Sequence, residues 1–185
     1  LSTPAVPVVM VTGMLLFFAF AGFSTSWALW MSEQFGLGTL EIGFVATRIS
    51  LAELVGVVFS LLFIDRIGKR IMVRSGFLLA IILFLAWLWL PPVRWLSQII
   101  LLLLGGVLET TIVSYFPFIS DLLPKARATL FSLAVLGISV GLALAPPVTL
   151  YLWEQFGQEA IVILMVLVLF VALLLTGSQA LKNST

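Results

Sequence analysis

Six stretches of this sequence are each long and apolar enough to cross a lipid bilayer, at residues 7–31, 40–64, 71–90, 95–119, 128–153 and 160–177. A crossing takes about 20 mostly apolar residues, and inside hydrocarbon every backbone polar group needs a partner within the protein, which makes each stretch a helix. Between them lie only short polar or Gly/Pro segments, 32–39, 65–70, 91–94, 120–127 and 154–159, so the 185 residues have no room for a separate soluble domain. The expected fold is all-α, an integral membrane six-helix bundle that fills residues 1–185 as one domain. Composition agrees: 9% of residues are charged and 62% hydrophobic, against about 25% charged in an ordinary soluble domain.

The few charges give an orientation. Arg66, Lys69, Arg70, Arg74, Lys125, Arg127 and Lys182 fall on one side of the six crossings, and only Arg94 flanks them on the other, which instead collects Glu33, Glu41, Glu154 and Glu159. Basic residues stay on the cytoplasmic side, so both termini are expected there, in a multi-pass protein of the cell membrane. Trp27, Trp30, Trp95 and Trp153 fall near the outer boundaries with Trp87 and Trp89, the position of an interfacial aromatic belt. Residue 1 is Leu, and no basic leader or small-residue cleavage site precedes the first stretch. No signal peptide is expected, and the missing Met suggests a chain begun within a longer reading frame or processed.

Several function classes drop out. With no cysteine and no histidine, thiolate or imidazole metal sites, haem ligation and the usual nucleophile–base pairs have no residues to build them, so no cofactor and no enzymatic activity are expected. A net charge of +1 provides no field for nucleic acid.

The six stretches differ in character. The third and sixth are apolar throughout, FLLAIILFLAWLWL and IVILMVLVLFVALLL, and are expected to face lipid. The second and fifth carry small residues every fourth position, Ala52, Gly56 and Ser60 in one and Gly137, Gly141 and Ala145 in the other. Such stripes let helices approach closely, either as ordinary packing or as a moving interface. The first mixes Phe17, Phe18, Phe20, Phe23 and Trp27 with Gly22, Ser24, Thr25 and Ser26; the fourth mixes Gly105, Gly106, Glu109, Thr110, Thr111, Ser114 and Tyr115. A face both aromatic and polar suits a cavity. Cavity-like, small-faced and apolar stretches recur in that order, as an inverted three-plus-three repeat would generate. The EQFG shared by 33–36 and 154–157 sits at non-equivalent helix ends and is read as chance.

Three ionisable residues fall within crossings: Arg48 and Glu53 on the second and Glu109 on the fourth. Each costs about 2.5–3.5 kcal/mol or more at a lipid-facing helix centre, so such groups face protein or water and mark functional routes. Arg48 lies roughly 9–10 Å inside the outer end and can partly snorkel. Arg48 and Glu53 are five residues apart and do not share a helix face. A carboxyl held in low dielectric without a fixed cation keeps its proton more readily than in water, which makes Glu109 the leading proton-coupling or cation-recognising candidate. The plain alternative is a carboxyl bonded to Thr or backbone.

After the second apolar stretch the sequence reads Asp65-Arg66-Ile67-Gly68-Lys69-Arg70. This resembles the signature loop between the second and third helices of major facilitator superfamily transporters, with Leu61 and Phe63 standing where that family usually has Gly and Leu. Asp121-Leu-Leu-Pro-Lys-Ala-Arg127 resembles the turn leading into a half's fifth helix, and Gly137, Gly141, Ala145 and Pro146 resemble the Gly-rich, Pro-containing stretch of that helix in efflux-type members. Within the fourth stretch Leu101 to Gly106 reads Leu-Leu-Leu-Leu-Gly-Gly where a first half often carries Arg before Gln-Gly, so the resemblance is to the carboxy-terminal half. It implies a six-helix half of a carrier that rocks against a second half, with Asp65, Arg66, Gly68, Lys69, Arg70 and Arg127 forming a gating loop, Asp65 as its latch. Gly137, Gly141 and Pro146 would serve helix packing. Glu109, Arg48, Glu53, Ser114, Tyr115 and Trp27 would meet a small solute or couple its movement to protons. The expected partners are therefore the bilayer, a small organic solute and a second six-helix half from the same gene or a dimer. The alternative is a six-helix scaffold or assembly partner that transports nothing.

Overall fold

The computed structural model describes residues 5–122 and 126–178, which are helical except at short turns and contain no strand. Five long apolar helices follow one another: α1 (Ala5–Phe35), α2 (Thr39–Ile67), α3 (Lys69–Trp89), α4 (Arg94–Leu122) and α5 (Arg127–Gly177). The expectations placed on Pro124, Lys125 and Lys182 lie outside the described residues.

The turns follow from local chemistry. Gly36 ends α1 with φ 64°, and Gly38 opens α2, its N–H meeting the Glu41 carboxylate at 3.3 Å. Gly68 alone joins α2 to α3. Its N–H donates to the Ile64 carbonyl at 2.9 Å, its carbonyl accepts from Met72 at 3.0 Å, and its φ of 94° suits only glycine. Pro91 and Pro92 separate α3 from α4, because proline and the residue before it resist helical continuation.

The stretches expected as the fifth and sixth crossings fall within one element, α5, and segment 154–159 is not the open loop read from sequence. It is helical on both sides of Gly157, whose φ of 74° and ψ of −168° are non-helical. That backbone region belongs almost wholly to glycine. The break reverses the chain: a methyl placed on Gly22 would meet both Thr149 Oγ1, at 3.2 Å, and the Met165 thioether. Those two residues would be about 24 Å apart along a straight helix. Gly36 and Gly157 end the two EQFG segments, so the repeat read as chance supplies a positive-φ turn residue at each of two helix ends.

α1 packs mainly on both arms of α5, and α4 mainly on α2 and α3, while α3 also meets α5. One aromatic network joins α1 to α3 toward the end of the bundle where α3 stops. Phe23, Phe84 and Trp87 lie edge-on or stacked at 6.2–6.4 Å between ring centres, with Trp30 on Trp87 at 5.2 Å. This corrects the belt reading: Trp27, Trp30 and Trp87 are buried between helices, and Trp89 and Trp95 stand exposed. The third and sixth stretches, apolar all round in sequence, are not exposed all round. α3 buries Val73, Gly76, Phe77, Ala80, Phe84 and Trp87 along one face, and the second arm of α5 buries Ile161, Met165, Leu169 and Ala172, leaving only their opposite faces open.

Candidate functional site

The ionisable residues inside the bundle sit along the seam between α2 and α4, and that seam exists because both helices carry glycine where they meet. A methyl on Gly56 would collide with the Gly106 carbonyl, and one on Gly106 would stand 3.0 Å from the Ala52 carbonyl. The Thr110 hydroxyl fastens the contact, donating to the carbonyls of Gly106 at 2.7 Å in its own helix and Gly56 at 3.1 Å across the seam. Farther along, the buried hydroxyls of Ser60 and Ser114 pair at 2.8 Å. The stripe of Ala52, Gly56 and Ser60 thus packs within the bundle, and likewise Gly137 and Gly141 lie on the α1 backbone at Met10 and Met14.

Glu53 and Glu109 occupy the half-exposed side of the α2–α4 seam. The Glu53 carboxyl lies over α4 at Gly105, where a methyl would be 3.6 Å from its Oε1. Glu109 is one turn further along the same face of α4. Neither forms an ion pair among the described residues, whose two pairs are Lys69–Asp121 and Arg94–Glu41. Arg48 is exposed and, instead of pairing with either, donates to Gln98 Oε1 on α4 at 3.0 Å. The seam therefore brings two carboxylates together without a fixed cation.

Three residues expected to meet solute lie elsewhere. Ser114 and Tyr115 are fully buried, the first bonded to Ser60 and the second donating to the Val9 carbonyl at 2.6 Å. Trp27 is buried on α1. The hydroxyls of Ser114 and Tyr115 tie helices to one another.

At the end of the bundle holding residues 65–70, Lys69 binds Asp121 at 2.7 Å and Arg70 donates to the Thr176 carbonyl at 2.9 Å. Asp65 and Arg66 are exposed and make no hydrogen bond or ion pair among the described residues. The latch expected of Asp65 is therefore not made within this bundle; Lys69–Asp121 joins the α2–α3 turn to α4 instead. Arg127 is exposed at the start of α5, and Pro146 is half-buried within it beside Pro147, without ending the helix. At the opposite end Trp153 Nε1 donates to Glu33 at 3.1 Å, and Arg94 binds Glu41 at 2.6 Å. Sequence reasoning missed Gln98, Asp121 and Thr110 as partners, because each bond joins residues 50–54 positions apart. Among the described residues no three His, Cys, Asp or Glu side chains converge as a metal site.

Long apolar helices enclosing a few ionisable groups define a multi-pass membrane protein. The chain matches the sequence profile of the Major Facilitator Superfamily over residues 9–179 and belongs to that family, whose members are membrane transporters. A comparison with individual curated proteins finds no match.

Proposed function

We propose that this chain is one six-helix half, the carboxy-terminal one, of a secondary active transporter that exports a small organic solute against a proton gradient. Each arm of α5 crosses the cell membrane once, giving six crossings with both ends cytoplasmic. The basic end of Arg66, Lys69, Arg70, Arg74 and Arg127 supports that sidedness. A second six-helix half covers the open side of α2 and α4, and the two rock about a midplane site. The inverted repeat is supported by the packing: α1 lies on the two arms of α5 as α4 lies on α2 and α3. Asp65 and Arg66, free on this bundle, are available to the companion half as its cytoplasmic latch.

The observation that carries the reading is the pair Glu53 and Glu109, half-exposed on one seam and without an ion pair among the described residues. Such groups exchange protons with a water-filled passage. The test is proton-driven flux of the intact carrier in liposomes. Glu109→Gln abolishes or uncouples the flux at normal expression; unchanged pH dependence removes Glu109 from this role. Reporter fusions that put Lys69 and Arg127 on opposite leaflets would sink the topology.

A further inference from the structure

α2 and α3 meet at the Gly68 turn and each packs along α4, while touching one another little. Glycine seats both on α4: a methyl on Gly56 would collide with the Gly106 carbonyl, and one on Gly76 with the Thr111 side chain. That arrangement leaves a groove of about 540 Å³ between α2 and α3, with α4 as its floor. Val55 and Phe59 on α2, Leu79 on α3 and Leu103 on α4 line it and stay 44–67% exposed. Ser75 and Thr110 carry its only polar side chains, and neither waits for a partner. Ser75 donates to the Met72 carbonyl at 3.0 Å, and Thr110 to the carbonyls of Gly106 and Gly56.

The dimensions select an occupant. On α2 the groove runs from Ala52 to Ile67, the half of that helix nearer Gly68. This is a rise of about 22 Å, enough to cross one leaflet of a hydrocarbon core about 30 Å thick. Spread over that length, the volume gives a channel roughly 5–6 Å wide, too narrow for another helix at about 10–12 Å. Water gains no hydrogen bonds from an apolar lining. A single hydrocarbon chain meets both limits. At the mouth, Arg66 stands on the same stripe of α2 as Val55 and Phe59, one residue before Ile67 of the lining. It is exposed and forms no ion pair among the described residues. Guanidinium binds phosphate oxygens in pairs, and an uncompensated cation at the membrane surface favours a headgroup of net negative charge.

We infer that this groove holds one acyl chain of an anionic phospholipid, from the leaflet on the side of residues 65–70, with its phosphate on Arg66. The inference goes beyond the proposed transport and does not depend on it, since it asks only that the helices span a bilayer. Asp65, about 100° around α2 from Arg66, is off this stripe and stays available as a latch.

The experiment is native mass spectrometry of the purified, intact protein, released from nanodiscs of equal phosphatidylglycerol and phosphatidylcholine with the same acyl chains. It counts and identifies the lipids that stay bound. The unaltered protein retains phosphatidylglycerol, and Leu79→Trp, which fills the groove, retains one lipid fewer. Val55→Trp, on the opposite wall, acts in the same way and stands in if Leu79→Trp fails to fold. Leu174→Trp, at a residue 58% exposed on α5 and outside the groove, retains as many lipids as the parent. Arg66→Gln keeps the lipid but lowers the preference for phosphatidylglycerol about fivefold, the contribution of one basic residue at an anionic surface. If the groove tryptophans retain as many lipids as Leu174→Trp, or what they displace is not a lipid, the groove holds no acyl chain and the inference falls. If they displace a lipid but Arg66→Gln leaves the preference unchanged, the placement of an anionic headgroup on Arg66 falls.

Discussion

Three glycines of this bundle meet three different surroundings, and the same change to alanine at each separates backbone contact from side-chain contact. In a helix, alanine is favoured over glycine by about 0.5–1 kcal/mol. At Gly43 of α2 a new methyl meets nothing within 4 Å, so Gly43→Ala stabilises by that whole amount. At Gly22 the methyl meets the flexible end of Met165, with Sδ at 2.9 Å, and Thr149 Oγ1 at 3.2 Å. An unbranched thioether can move aside, and Gly22→Ala stays within about 1 kcal/mol of the parent. At Gly141 the obstacle is the α1 backbone, the Met14 carbonyl carbon at 3.0 Å and the Phe18 nitrogen at 3.1 Å. Backbone cannot swing, so α1 and α5 must separate. Overpacking of this kind costs about 1–3 kcal/mol, and after the helix gain Gly141→Ala is destabilised by up to about 2.5 kcal/mol, always below Gly43→Ala. Reversible unfolding in mixed micelles, followed by helical circular dichroism, reads all three. If Gly141→Ala proves as stable as Gly43→Ala, the close approach of α1 and α5 is wrong.

Gly157→Ala destabilises by about 1–3 kcal/mol in the same assay, because φ 74° with ψ −168° is foreign to a side chain; an unchanged midpoint would place the reversal elsewhere. Tyr115→Phe removes one buried hydrogen bond, to the Val9 carbonyl, and costs about 0.5–1.5 kcal/mol, whereas Tyr115→Ala also opens a cavity and costs about 3–5 kcal/mol. Equal losses in the two would mean that the hydroxyl contributes most of the effect. Lys69→Ala costs under about 1 kcal/mol, since the side chains of Lys69 and Asp121 are 33% and 50% exposed, and the loss shrinks in high salt. Exchanging the two charges, Lys69→Asp with Asp121→Lys, recovers what either change alone loses.

Sequence reading captured what depends on length and on local backbone chemistry. The apolar runs mark the rods, and Gly68, Pro91 and Pro92 mark turns because few residues tolerate those conformations. Gly157 was visible as a residue, but its surroundings looked like a loop, since Glu154, Gln155, Gln158 and Glu159 are polar and yet remain helical. Which face of each helix turns inward was far less legible. In water the contrast between apolar core and polar solvent marks the buried face, but lipid is as apolar as the interior of a bundle. On α3, Phe77 and Leu78 look equivalent in sequence, though the first is fully buried and the second 51% exposed. The same loss of contrast hides the burial of Ser114 and Tyr115, whose hydroxyls join helices. Glu53 and Glu109 stand out in the sequence because ionisation keeps its cost in any apolar surroundings, and both lie half-exposed on the α2–α4 seam.

That cost also sets how the bundle can stand among its neighbours. Along α3, Leu78 and Ile82, and along the second arm of α5, Ile163, Leu167, Phe170 and Leu174 are exposed without an ionisable residue among them; acyl chains can cover those sides at no electrostatic cost. The α2–α4 seam cannot be covered in that way. Two carboxylates turned to lipid would cost about 5–7 kcal/mol, comparable to the whole net stability of a typical fold, about 5–15 kcal/mol. Water or another protein surface must therefore lie over Glu53 and Glu109. Leu54, next to Glu53 on α2 and 58% exposed, is poor company for water alone. If the chain is one half of a carrier as proposed, both demands are met where the companion half closes over α2 and leaves a wet gap above the carboxyls, with the α2–α4 side as its approach.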